Sequence, residues 1–287
     1  DGRLGIGEDT VISAWLAKTD TPGLDGDDHA FSVKGNYDSA RWFHGFEYTE
    51  VGENFNPEVG FLSRSDYRKY AFNSLLRIRP EALAGLLEIR PHYSYQNYTD
   101  FDGFKETGFL HLDTHWEWKN GYALHTGYNI FTDGIKESFE IIDDVWVPAG
   151  TYRGGELSLY FTTDRAQDLS FRTNVTLGDK FGGDRVILSP TLDYRWGDKF
   201  STSLSARYNR YDLPDGDFSV MLTRLRLSYS FTPKVLLQAL MQYNDSDKTL
   251  STNLRFSWLR TANTGLYLVY NEFDERGIEA FKKQREF

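Results

Sequence analysis

Apolar and polar residues alternate with a period of two along almost the whole chain, and no stretch sustains a helical 3.6-residue period. Leu87, Ile89, Pro91, Tyr93 and Tyr95 share one face, while Glu88, Arg90, His92, Ser94 and Gln96 share the other. Leu110, Leu112, Trp116 and Trp118 oppose His111, Asp113, His115 and Glu117 in the same way, as Met221, Leu225, Leu227, Tyr229 and Phe231 oppose Arg224, Arg226, Ser228 and Ser230. The pattern predicts fifteen strands, at 10–19, 29–38, 40–51, 68–79, 86–98, 106–119, 121–132, 152–163, 169–179, 185–196, 199–211, 218–231, 234–244, 250–259 and 264–272. Single-chain bacterial barrels mostly have an even strand number. The segment 279–287 is therefore read as the start of a closing strand, which gives about sixteen.

The connections alternate in length. Asp38-Ser39, 80–85, Asn120-Gly121, 164–168, Gly197-Asp198, Thr232-Pro233 and 260–263 are short; 52–67, 99–105, 133–151, 180–184, 212–217 and 245–249 are longer. Asn120-Gly121 suits a primed two-residue hairpin turn. Strands of roughly ten residues with short turns at one end and long loops at the other match a transmembrane barrel, whose tilted strands need ~9–11 residues. Sandwich strands usually run ~5–6 residues. The predicted fold is an all-β, antiparallel, up-and-down transmembrane barrel occupying 1–287 as one domain, with periplasmic turns and extracellular loops. A soluble carbohydrate-binding β-sandwich, with the apolar faces packed on each other, is the alternative.

Composition sharpens this. The 287 residues contain 18 Tyr, 21 Phe and 7 Trp, yet hydrophobic residues make up only 40%. Mean hydropathy is −0.53, and no run approaches the ~20 apolar residues of a membrane helix. Cysteine is absent, which excludes thiol catalysis and disulfide staples. A formal charge of −10 argues against nucleic acid as a partner. The chain opens Asp1-Gly2-Arg3, so any targeting segment is expected to have been removed or to lie upstream.

In a barrel the aromatics should form two interfacial girdles. Trp118, Trp196, Phe231 and Trp258 adjoin the predicted short turns, and Tyr98, Tyr128, Tyr211, Tyr243 and Tyr270 are placed near the long loops. The polar faces would line the lumen through Arg77, Arg79, Glu88, Arg90, His92, His111, Asp113, His115, Glu117, His125, Glu156, Arg172, Asp193, Arg195, Arg207, Arg224, Arg226 and Arg255. Arginines facing carboxylates across a lumen would set up a transverse field that steers polar or anionic solutes. The alternative is that they only satisfy each other.

Several stretches also resemble a known family. These are Val51 to Phe61 (VGENFNPEVGF), Val147 to Tyr152, Asp212 to Phe218 (DLPDGDF), Tyr229 to Pro233 and Leu237 to Asn244. From about Gly35 to Glu272 the chain resembles the C-terminal barrel of an uncharacterised bacterial outer-membrane family. Its members carry an N-terminal domain similar to family-nine carbohydrate-binding modules. The resemblance implies a barrel, an outer-membrane location and an upstream domain and final strand outside this chain. It supplies no reaction.

Candidate chemistry is sparse. His111, Asp113 and His115 occupy alternate positions of one strand, ~6.6 Å apart, so they could share a metal only with help from adjacent strands. His92 and His125 are placed to supply it. Asp212, Asp215 and Asp217 form an acidic loop cluster of the oxygen-rich kind that takes calcium, without the spacing of an EF-hand. A hydrated, charged loop is the plainer reading, and no other cofactor is expected. No Gly-x-Ser-x-Gly and no Ser–His motif occurs, so no enzyme activity is expected. The loop 133–151, with Ile141, Ile142, Val145, Trp146 and Val147, is the most apolar and should fold inward or meet a protein partner. Outer-membrane lipids and lipopolysaccharide are the other expected contacts. The expected function is porin-like passage of hydrophilic solutes, or else a plugged barrel that anchors or assembles a partner.

Overall fold

A computed structural model describes all residues except 59, 61, 84, 262–263, 276–283 and 287, with backbone alone for 275 and 284–286. Nineteen strands follow in order: β1 (Gly2–Ile6), β2 (Thr10–Lys18), β3 (His29–Asp38), β4 (Trp42–Val51), β5 (Tyr67–Leu76), β6 (Leu86–Thr99), β7 (Lys105–Trp118), β8 (Ala123–Ile135), β9 (Phe139–Ile142), β10 (Val145–Val147), β11 (Gly150–Thr162), β12 (Leu169–Lys180), β13 (Gly183–Trp196), β14 (Phe200–Leu213), β15 (Gly216–Thr232), β16 (Val235–Asn244), β17 (Thr249–Thr261), β18 (Thr264–Glu275) and β19 (Gln284–Glu286). Seventeen of them form one sheet, and β9 and β10 form a separate hairpin. Every pairing is antiparallel between sequence neighbours, except that β8 pairs with β11 across the excluded hairpin. The series runs from β1–β2 to β18–β19 as an up-and-down meander.

All fifteen expected strands are present. Against an expectation of about sixteen, seventeen strands lie in the sheet among the described residues, because Gly2-Arg3-Leu4-Gly5-Ile6 also pairs with β2. Two glycines and an arginine in five residues left that segment too short and too polar to register as a strand. The expected closing strand at 279–287 falls mostly outside the described residues, apart from β19.

Burial is inverted relative to a water-soluble protein. Leu112, Leu157, Leu188, Leu192, Tyr194 and Leu204 are exposed on one face, and Trp196 is 72% exposed. The opposite face carries the buried polar residues Ser32, Thr49, Glu88, Asn129, Glu156, Ser170 and Thr191. Side chains crowd on the concave face of a curved sheet and splay apart on the convex one, so the polar face is the inner face. No second sheet covers the apolar face among the described residues, which removes the sandwich reading. Strands of 13 or 14 residues such as β6, β7, β8 and β13, tilted ~40°, rise roughly 30–35 Å, the thickness of a hydrocarbon core. The fold is that of a transmembrane β-barrel.

Trp118, Trp196, Phe231 and Trp258 all alternate onto the outer face beside the short turns, as does Trp42. The long-loop girdle is partly corrected. Tyr243 faces outward near the loops, but Tyr128 lies in the middle of β8, opposite Leu112 and Leu157, and Tyr270 in the middle of β18, opposite Leu254. Tyr98 and Tyr211 share parity with Gln96 and Asn209 and therefore point inward. Tyr98 receives Arg64 at 4.8 Å, and Tyr211 stacks on Phe218 at 5.0 Å.

The turn at Asn120-Gly121 is also corrected. The Gly121 N–H donates to Trp118 O, and Gly121 alone takes the left-handed φ of 83°. This is a three-residue connection in which only the glycine needs that conformation, not a two-residue primed turn.

At the opposite rim the segment Gly52–Asn56 staples the two N-terminal loops. The Asn54 side chain donates to Asp25 O and Gly26 O, and the Asn56 N–H donates to Thr19 Oγ1. A Cβ at Gly52 would lie 1.9 Å from Asp27 O, so only glycine allows this approach.

The two faces of β13 give a direct test. Leu188→Arg places a charge against hydrocarbon near mid-strand and is expected to cost about 2–4 kcal/mol in denaturant unfolding from lipid vesicles, whereas Ser189→Arg, facing inward, should cost well under half of that. Equal costs would contradict the assignment of faces.

Candidate functional site

The candidate site is the inner wall. Register brings its charged residues into pairs that sequence proximity does not suggest. Glu156 of β11 is 7% exposed and forms an ion pair with Arg185 of β13, across β12. The Asn129 side chain donates to the other Glu156 oxygen at 2.9 Å. Glu88 is held by Arg79 at 2.7 Å and faces Arg90 at 3.6 Å, and Arg90 also pairs with Glu117. Arg172 pairs with Asp193, and Lys69 and Lys34 meet Glu47 at 3.0 and 3.4 Å. Arg185, Asn129, Lys69 and Glu47 were not among the expected lining residues. Their signal was available as parity, since each sits at an inward position of its strand.

Two expected lining arginines serve the rim instead. Arg77 lies beyond the end of β5 and donates to Asp38 Oδ1 and Ser39 O, at 3.0 and 2.7 Å. The Arg195 guanidinium donates to the carbonyls of Arg165, Ala166 and Gln167, closing the 164–168 turn. An arginine near a strand end finds unpaired carbonyls there, which compete with the lumen for its donors.

Beyond β13 the wall changes character. Arg207, Arg224 and Arg226 line the inner faces of β14 and β15 without a carboxylate partner among the described residues. Arg207 and Arg224 border a groove of about 620 Å³ with Asn174, Ser189, Gln242 and Ser251. Arg255 follows on β17, with its guanidinium 5.6 Å from the Tyr267 ring centre. Among the described residues the paired carboxylates of the wall lie on β4–β13.

On β6–β8 four of the six histidines come together. The His92 ring lies 5.1 Å from His111 and 4.7 Å from His115, and His115 stacks on His125 at 3.5 Å. Asp113 sits between them, its Oδ2 3.5 Å from His111 Nε2 and 3.3 Å from His115 Nε2. Each of two triads, His92–His111–Asp113 and Asp113–His115–His125, offers three ligand atoms within 4.8 Å of one another. The adjacent strands supply what alternate positions on β7 could not.

Asp212, Asp215 and Asp217 do not form such a group among the described residues. Asp215 instead accepts the Trp146 N–H at 2.7 Å, which ties down the 139–147 hairpin. Val145 and Val147 are buried there with Leu213, against Ile135, Tyr152, Tyr211 and Phe218 from the inner face, together with Ile141, Ile142 and Phe181. The apolar loop thus packs against inner-face side chains at the loop rim and leaves Trp146 49% exposed.

A second latch lies at the same rim. The Lys136 ammonium reaches Asp100 at 2.9 Å and Glu106 at 3.1 Å, and Asp100 accepts the Phe104 N–H at 2.7 Å. Burial alone would raise the Asp100 carboxyl, but the hydrogen bonds from Lys136 and Phe104 outweigh it and hold the carboxyl below its usual range. Hydrogen bonds to Asp100 and Glu106 raise Lys136.

One Ser–His contact appears that the sequence did not signal. Ser74 Oγ and His44 Nδ1 are 3.0 Å apart on the outer face, beside Trp42. No carboxylate or amide bonds His44 among the described residues, so the pair lacks the orienting group of a hydrolytic triad. It satisfies two polar groups within an apolar surface.

No protein-family model matches the chain, and no curated protein does. Two solved structures are similar in outline. The outer-membrane expressed OmpT of Vibrio cholerae is 12% identical with a TM-score of 0.36, over 95% of this chain and 98% of that one. Wzi, an outer membrane protein involved in group 1 capsule assembly in Escherichia coli and a carbohydrate-binding β-barrel, is 8% identical with a TM-score of 0.34, over 96% and 81%. Likeness at this level assigns no activity to this chain.

Two outcomes follow from the pairs. Glu156→Ala strands the Arg185 charge and should destabilise the barrel by about 3–5 kcal/mol, while Glu156→Ala with Arg185→Ala should cost less than the two single changes summed. Because the Asp100 carboxyl is depressed in the folded state, its contribution is complete above the ordinary carboxylate value of about 4 and is lost as pH falls through the depressed one. Protection of the Phe104 amide against hydrogen exchange, corrected for intrinsic rate, should fall on that acid limb, and Asp100→Asn should remove the limb.

Proposed function

We propose that this outer-membrane barrel is a non-enzymatic passage for hydrophilic solutes, with a mouth narrowed by the 139–147 hairpin. The observation that carries this reading is the inner wall beyond β13. There Arg207 and Arg224 stand beside hydroxyl and amide side chains along an open groove without carboxylates to neutralise them. A wall that served packing alone would pair its charges, as β6–β13 do. With the paired carboxylates on β4–β13 and these arginines beyond them, a solute carrying an anionic group is drawn along β14–β17.

A second reading has its own support. The exposed Trp146, on a hairpin fixed by Asp215 and the Val145–Val147 cluster, is a rigid aromatic anchor of the kind that binds a protein partner. On that reading the barrel holds a partner at the surface.

Conductance separates them. Folded protein in a planar bilayer should give discrete channels, with larger unit conductance when 139–147 is replaced by a short Gly–Ser linker. Arg224→Glu with Arg226→Glu should shift ion selectivity from anions toward cations. Correctly folded protein that passes no current, with or without the hairpin, removes the passage reading.

A further inference from the structure

The histidine cluster is not required by solute passage, and its chemistry is specific. Asp113 Oδ1 is buried and has no hydrogen-bond partner, in a side chain only 7% exposed. A buried carboxylate oxygen without a partner is costly unless something outside the protein chain meets it. The other oxygen, Oδ2, stands 3.5 and 3.3 Å from two imidazole nitrogens. Those separations exceed the ~2.7–2.9 Å of charge-assisted hydrogen bonds. They match the ~3.3 Å edge of a tetrahedron whose metal–ligand bonds are ~2.0–2.1 Å.

The surroundings orient the ligands. His111 Nδ1 bonds the Asn129 side-chain oxygen, and Asn129 is itself held by Glu156, which pairs with Arg185. With Nδ1 donating, the His111 lone pair lies on Nε2, the atom facing Asp113. His92 Nδ1 lies 3.4 Å from Arg90 O, which leaves its Nε2 free in the same way. Ring N–H groups held by outer acceptors are what fix the tautomer of metal-ligating histidines. Arg90 is the nearby cation, and it is engaged by Glu88 and Glu117.

We propose that His92, His111 and Asp113, with His115 and His125 on the other side of the same carboxylate, bind one divalent first-row transition ion such as Zn²⁺ or Ni²⁺ at the inner wall. Imidazole-rich sites select these ions over Ca²⁺ and Mg²⁺, which take oxygen ligands. Both triads use the same carboxylate, Asp113, so two ions would have to share it, which favours one ion over two. The site requires the folded wall only and is independent of whether the lumen conducts.

The test is equilibrium dialysis of tag-free, folded protein in detergent against Zn²⁺, with Ca²⁺ as competitor. One Zn²⁺ per chain is expected, undisturbed by excess Ca²⁺. Asp113→Asn should weaken binding at least 100-fold, His92→Gln and His111→Gln at least tenfold each, and Asn129→Ala within the 10–100-fold range of outer-sphere changes. His44→Gln, on the outer face, should leave it unchanged. No Zn²⁺ bound, displacement by Ca²⁺, or full affinity in His92→Gln and His111→Gln would overturn the site. Should Asp113→Asn fail to fold, X-ray absorption of the zinc-loaded wild type decides. Imidazole nitrogens at ~2.0–2.1 Å support the site, and a shell without imidazole refutes it.

Discussion

Inside hydrocarbon an unpaired peptide group costs several kcal/mol, and water is not there to relieve it. A strand can meet that demand only by bonding both neighbours, so this chain runs as an antiparallel series in which sequence neighbours pair, apart from β8 with β11 across the 139–147 hairpin. The same constraint forces strict alternation. Once the backbone is fixed by its ladder, each side chain has one of two solvents, lipid outside or the enclosed polar space inside. The exposed leucines and the buried Glu88, Asn129 and Glu156 are two consequences of that single division.

The inner wall then has to manage charge at low dielectric. From β4 to β13 it does so by cross-strand pairs, Glu47 with Lys69, Glu117 with Arg90, Arg172 with Asp193, and Glu156 with Arg185. These pairs span one or two strands and tie the register of distant segments together. Beyond β13, Arg207, Arg224 and Arg226 have no carboxylate partner among the described residues. Asp113, on β7 within the paired sector, is the exception there, a carboxylate with imidazoles rather than a lysine or arginine beside it. Apart from it, structural pairing and unused capacity occupy different sectors of one sheet.

At the loop rim the logic is that of a soluble protein in miniature. Val145, Val147 and Leu213 form a small apolar cluster beneath a two-stranded hairpin, and Asp215 and the Asp100–Lys136 latch hold the surrounding loops by hydrogen bonds. Water is available there, so burial of apolar groups can stabilise structure in the ordinary way. Within the spanning region it cannot, because lipid solvates the leucines as well as a core would.

The strands and their antiparallel order were legible along the chain, because a period of two over ten or more residues fixes one apolar and one polar face, while the uncovered apolar face that separates a barrel from a sandwich needed the sheet itself. The turn-side girdle was legible for the same reason. Some errors were local, such as the turn at Asn120-Gly121 and the position of Tyr128 along β8; the others were errors of parity or of long-range pairing. Tyr98 and Tyr211 are aromatics at inward positions, which residue type alone misassigns. Gly2–Ile6 becomes a strand only because β2 offers it an edge. The histidines could be placed on neighbouring strands by counting, but their convergence on Asp113 depends on registers such as His92 opposite Asp113 and His115 opposite His125. The Asn129–Glu156–Arg185 support and the docking of the 139–147 hairpin join residues far apart in the chain. Local alternation is a property each segment carries by itself, whereas register and docking are decided by the partners it meets.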